Sequence, residues 1–64
     1  MRLSEFWTRM EGHFGAGYAR SVARDHVIAG LGGRTVDQAL EAGESAKQVW
    51  RAVCEEFELP ARVR

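Results

Sequence analysis

The stretch T35-VDQALEAGESAKQVWRA-V53 reads as two short helices joined at a glycine. Thr35 with Gln38, and Ser45 with Gln48, have the spacing of a capping box. In that motif a side-chain oxygen accepts a first-turn N–H that no helical carbonyl reaches. Gly43 is a natural helix stop. The first of the two helices is predicted over Val36 to Ala42, with Val36, Ala39 and Leu40 facing inward. The second is predicted over Ala46 to Phe57, with Val49, Trp50, Val53 and Phe57 on its buried stripe and Cys54 at the margin. Ala39, Gly43 and Val49 match the small–glycine–apolar spacing of a DNA-reading helix-turn-helix. Glu44 departs from it, because that place in the turn is usually apolar.

Working outward, a first helix is predicted from Glu5 to Phe14, with Ser4 as its N-cap. Leu3, Phe6, Trp7, Met10 and Phe14 recur at separations of three and four and form one stripe, with Glu5 and Arg9 opposite. The glycines of "FGAGY", Gly15 and Gly17, break the chain there by tolerating positive φ. A second helix is predicted from Tyr18 to Leu31. Its small-residue face comprises Tyr18, Ala19, Val22, Ala23, His26, Ala29 and Gly30 at 100° per residue. On that wheel Arg20 and Arg24 point away, and Ile28 falls near the outer edge. Leu59-Pro60 closes the last helix, and residues 60–64 are expected to be a flexible tail. The expected fold is all-α: one domain over 1–64, a compact array of about four short helices, the last two helix-turn-helix-like.

Length and charge narrow the function. With 64 residues the chain holds one domain and buries only about 60% of its unfolded surface. Its six aromatic rings must therefore supply much of the core. Cys54 is the only cysteine, so neither an internal disulfide nor a multi-cysteine zinc site can form. Nine basic residues balance nine acidic ones, which gives no general pull toward nucleic acid or anionic lipid. No run of apolar residues is long enough to span a bilayer, and the charged start does not look like a signal peptide. A cytoplasmic protein without a cofactor is expected, with no membrane role.

Candidate chemistry is sparse. "GLGGRT" could hold an anion on free N–H groups, yet it lacks the preceding strand of a nucleotide loop and reads as a helix stop. In "RDHV", His26 falls at the centre of the small apolar face, where a core histidine bonded to a backbone carbonyl is expected. A metal site from His13, His26 and Cys54 has no supporting ligand spacing. Cys54 lies late in its helix beside Glu55, where both the dipole and the carboxylate oppose a thiolate. Trp7 and Trp50 both fall on inward stripes and are expected in the core.

"MRLSEFWTRM", "YARSVARDHV", "LGGRTVDQAL" and "VWRAVCEEFELP" together resemble a family of short actinobacterial proteins, domain-of-unknown-function family 3046. The likeness covers nearly the whole chain. It implies a small, soluble, intracellular bacterial protein, and it brings no activity, cofactor or site residue with it. Members of that family often carry Asp-Pro at the start of the last helix, where this chain has Ser45-Ala46. The cap is kept, and the proline at the first helical position is not.

The expectation that follows is a non-enzymatic helical interaction or regulatory module, whose partner is another protein or a second copy. Arg20, Arg24, Ile28, Lys47 and Arg51 are its expected contact residues. The first alternative is a divergent helix-turn-helix that places Lys47, Gln48 and Arg51 on the duplex, with Arg20, Arg24 or Arg34 on phosphates. Charge weighs against it: Thr35 to Glu58 holds two basic residues and six acidic ones, a net −4, whereas DNA affinity comes mainly from neutralising phosphates. A small metal or thiol protein using His13, His26 or Cys54 is the remaining alternative.

Overall fold

The computed structural model describes residues 1–60. It is an all-α globule with principal extents of 25 × 23 × 20 Å. Four α-helices follow one another: α1 (Leu3–Phe14), α2 (Ala16–Asp25), α3 (Val36–Glu41) and α4 (Ala46–Glu56), with a 3₁₀ turn at Ala29–Leu31. The tail expected after Pro60 lies outside the described residues. Among the described residues, no helix is long and apolar enough to cross a membrane.

α1 begins two residues before the expected start. Its N-cap is Arg2, which makes no side-chain cap bond. Ser4 is already helical, and its carbonyl accepts a bond from Thr8 Oγ1 at 2.9 Å. Phe6 and Met10 are fully buried and Trp7 and Phe14 half-buried, while Leu3 is 51% exposed and so leaves the expected stripe. Gly15, at φ 89°, is both the C-cap of α1 and the N-cap of α2. That left-handed conformation costs glycine little and other residues more. Gly17 does not share this role, because it lies inside α2 without positive φ.

α2 ends at Asp25, six residues short of the expected Leu31. From His26 the backbone is extended, and the Ile28 N–H bonds to the Arg34 carbonyl at 2.9 Å in an isolated antiparallel bridge. Extended chain alternates its side chains, so the helical wheel no longer applies. Val27 points outward at 56% exposure, and Ile28 turns into the core at 0%. The expected exposed contact at Ile28 is thereby overturned. His26 is also displaced from the expected core position: it is half-exposed, and its Nε2 lies 3.2 Å from Glu56 Oε2 instead of holding a backbone carbonyl. Of the small face, Ala19, Val22 and Ala23 are buried, while Tyr18, Ala29 and Gly30 are exposed. Gly30 still serves close approach, since a Cβ there would come within 3.3 Å of the Ala52 Cβ.

The two caps around the opening stretch form as their chemistry dictates. Thr35 Oγ1 accepts from the Gln38 N–H at 3.2 Å, and Gln38 Oε1 accepts from the Thr35 N–H at 3.0 Å. Ser45 Oγ accepts from the Gln48 N–H at 3.2 Å, which is one half of the expected box. Gly43, at φ 97°, ends α3 in a Schellman pattern, with Glu44 N–H on the Ala39 carbonyl at 3.0 Å. The end of α4 repeats the pattern with Leu59 N–H on the Cys54 carbonyl at 2.9 Å, which brings Leu59 into the core. There the left-handed position is held by Glu58, at φ 52°. Cys54 is fully buried instead of marginal, and Ala52 is buried with it.

Two stability measurements test this arrangement. Ile28→Ala should destabilise the chain by about 2–5 kcal/mol, as truncation of a fully buried aliphatic residue does; a change within about 0.5 kcal/mol in chemical denaturation would return Ile28 to the surface. Glu58→Gly should stabilise by about 1 kcal/mol, because the left-handed conformation penalises a side chain. For a chain of this size, thermal unfolding should then rise by roughly 4–8 °C.

Candidate functional site

The five residues expected to face a partner separate into three groups. Ile28 belongs to the core. Arg20 and Arg24 are engaged within the chain. The Arg20 guanidinium sits 4.0 Å from the centroid of the Trp7 ring. Arg24 pairs with its neighbour Asp25 at 3.2 Å. The hydrogen bond to Asp25, and then the Asp25 charge, raise the Arg24 pKa above its ordinary value. Both partners of that pair are largely exposed, so water screens it.

Lys47 and Arg51 remain, and both are exposed. They lie one helical turn apart on α4 and line an open groove of about 570 Å³ between α4 and α1. Met1, Glu5, Arg9 and Glu55 also line it, and Trp50 lies in it. Arg51 and Glu55 also border a smaller hollow of about 330 Å³ beside the 3₁₀ turn. Arg9, Lys47 and Arg51 make no ion pair within 4 Å among the described residues. Arg9 and Glu5 fall opposite the apolar stripe of α1, on its solvated face. Their i,i+4 spacing was visible, but no local signal ties them to residues some forty positions away.

Trp50 anchors this site. It is 3% exposed, and its ring meets that of Phe6 edge-on, with centroids 6.1 Å apart. Its Nε1–H is buried and has no hydrogen-bond partner among the described residues. An unsatisfied buried donor costs about 1–3 kcal/mol. Trp50 thus takes the core place expected of it, with this one donor unpaired among the described residues.

The remaining titratable groups are dispersed. His13 is exposed and packs edge-on to Phe14 at 4.7 Å, while the His26 ring lies tilted against Phe57 at 4.8 Å. Cys54 is buried away from solvent. Among the described residues, no group of three His, Cys, Asp or Glu could hold a metal ion. Ser21, Asp25 and His26 line a shallow hollow of about 260 Å³. Asp25 is bound to Arg24 and His26 to Glu56, and no hydrogen bond joins Ser21 to His26 among the described residues. The order of a Ser–His–Asp relay is therefore not present. α3 and α4 follow one another through a four-residue turn, yet α3 is only six residues long. That connection by itself does not set a DNA-reading geometry.

Residues 1–62 match the family model described as "Protein of unknown function (DUF3046)", and the chain belongs to that family. No curated protein and no solved structure matches it.

The burial of Cys54 makes a kinetic prediction. A thiol reagent should label it only through opening of the fold, with a rate that climbs with denaturant in parallel with unfolding. Complete labelling within the mixing time in native buffer would show an accessible thiol and reopen the thiol alternative.

Proposed function

We propose that this member of the family is a non-enzymatic helical interaction module, working in the cytoplasm, and that the α1/α4 groove is its contact face. The observation that supports this is the state of its cations. Arg20 and Arg24 are occupied, whereas Arg9, Lys47 and Arg51 stand exposed around one nearly buried indole and make no ion pair among the described residues. Tryptophan and arginine carry a disproportionate share of interface energy, and a ring of polar residues around an aromatic centre is the usual anatomy of a contact site. An enzyme would need a nucleophile, base or metal converging on a cavity, and the potential members of such a set are spread over separate parts of the surface and core.

A DNA-binding reading is supported by one feature: Lys47, Gln48 and Arg51 are all exposed along the first two turns of α4. Glu5 and Glu55 oppose it, because they share the groove and would face the phosphates. Glu44 adds a further negative charge beside Gln48 and Arg51.

The test is affinity capture with the full chain, run in parallel with K47E/R51E, together with sedimentation over a range of concentrations. The expected result is a protein, or a second copy, retained by the parent chain and reduced at least tenfold by the charge reversal. A chain that captures nothing and stays monomeric would sink the module reading. Duplex binding that falls steeply between low and moderate salt would favour the DNA reading instead.

A further inference from the structure

We propose that the α1/α4 groove receives an acidic segment of a partner protein, seating an Asp or Glu carboxylate between Arg51, Lys47 and Arg9 and against the indole N–H of Trp50. This inference deepens the interaction reading and rests on it. Its first support is the buried Trp50 donor, which lacks an acceptor among the described residues. The desolvation of that N–H has already occurred on folding, so an arriving acceptor gains the bond without that cost. Because that N–H is buried, the proposal includes a rotamer change of exposed side chains around the groove to admit the carboxylate, a fast and inexpensive motion.

The second support is charge complementarity. Arg9, Lys47 and Arg51, which make no ion pair among the described residues, line the groove beside Met1 and two carboxylates, Glu5 and Glu55. One carboxylate placed among the cations would be held by charge-assisted hydrogen bonds, and an arginine fork suits its geometry. A polyphosphate backbone would have to pass the two glutamates as well, and a neutral peptide would leave the cations unanswered. Size agrees with this. A groove of about 570 Å³ accommodates a side chain or two with their backbone, which is less than a duplex requires. Glu5 and Glu55 have a use in this arrangement, as acceptors for the backbone N–H groups or a basic neighbour of the same segment.

The experiment uses the full chain labelled with ¹⁵N. Its two tryptophans give two indole signals, and Trp7 serves as an internal reference. The probes are capped octaglutamate, capped octaglutamine, inorganic phosphate and a short DNA duplex. With octaglutamate, the Trp50 indole signal should move downfield while that of Trp7 stays in place. K47Q/R51Q should weaken this binding at least tenfold, and R24Q/R34Q, which removes the same charge elsewhere, should leave it within twofold. W50F keeps a ring and loses the donor, and should weaken it several-fold. If W50F fails to fold, the surface variants still decide the matter. An unmoved Trp50 signal overturns the proposal, and so does an equal response to octaglutamine, phosphate or duplex, or equal weakening by R24Q/R34Q. Movement of the same signal on self-association, without peptide, assigns the groove to a second copy and overturns it too. If captured proteins are lost with K47E/R51E while octaglutamate leaves Trp50 unmoved, the interaction reading stands and the acidic segment falls.

Discussion

The Phe6 ring lies between two indoles and joins the first helix to the last. It is fully buried, with the Trp7 centroid at 5.2 Å and the Trp50 centroid at 6.1 Å, both nearly perpendicular. Edge-to-face contacts place the positive ring edge against a negative face, and each adds to the area that the rings remove from water. A chain of 64 residues without a disulfide has little other reserve. Arg20 extends the contact to α2 by lying over the outer side of Trp7. The same packing sets Glu5 and Arg9 opposite Lys47, Arg51 and Glu55, so the groove is a consequence of how the core is closed.

A second connection holds the opposite end of the sequence together. Phe14 and Phe57 meet at 5.0 Å, and His26 lies over Phe57. The Glu56 carboxylate faces His26 Nε2 and also accepts from the Ala29 N–H at 3.4 Å. It thereby ties the exit of α2 and the start of the 3₁₀ turn to the last turn of α4. Each bond is partly exposed and modest in strength, but both act on a segment whose backbone has left the helix and needs partners. The excursion between His26 and Arg34 is the main irregularity of the fold, and it delivers Ile28 to the core.

Electrostatics separates the surface into used and unused charge. Net neutrality hides a local asymmetry, because the arginines of α2 are already answered by Trp7 and Asp25 while Arg9 and Arg51 of the groove make no ion pair among the described residues. Exposed charges alone are ordinary. The indole that shares their groove is buried by packing, and its Nε1–H has no partner among the described residues. Buried polar groups are nearly always paired, and this donor is an exception among the described residues.

Features that act over three or four residues were legible in the sequence. The Thr35 and Ser45 caps, the stops at Gly15 and Gly43, and the inward places of Phe6, Met10, Val49, Trp50 and Val53 follow from short-range geometry and periodicity. The all-α class and the order of four helices follow from the same signals. The exit from α2 at His26 was not legible, because it depends on an Ile28–Arg34 pairing and on Glu56, thirty residues downstream of His26. Ile28 was misplaced for that reason, since a helical wheel has no meaning beyond the helix. The groove was equally hidden: Arg9 and Lys47 are polar residues on separate amphipathic helices, and only the packing of Phe6 between the indoles brings them to one place. Local hydrogen bonding and hydrophobic spacing are properties of a short segment, whereas burial and charge proximity are properties of the closed globule.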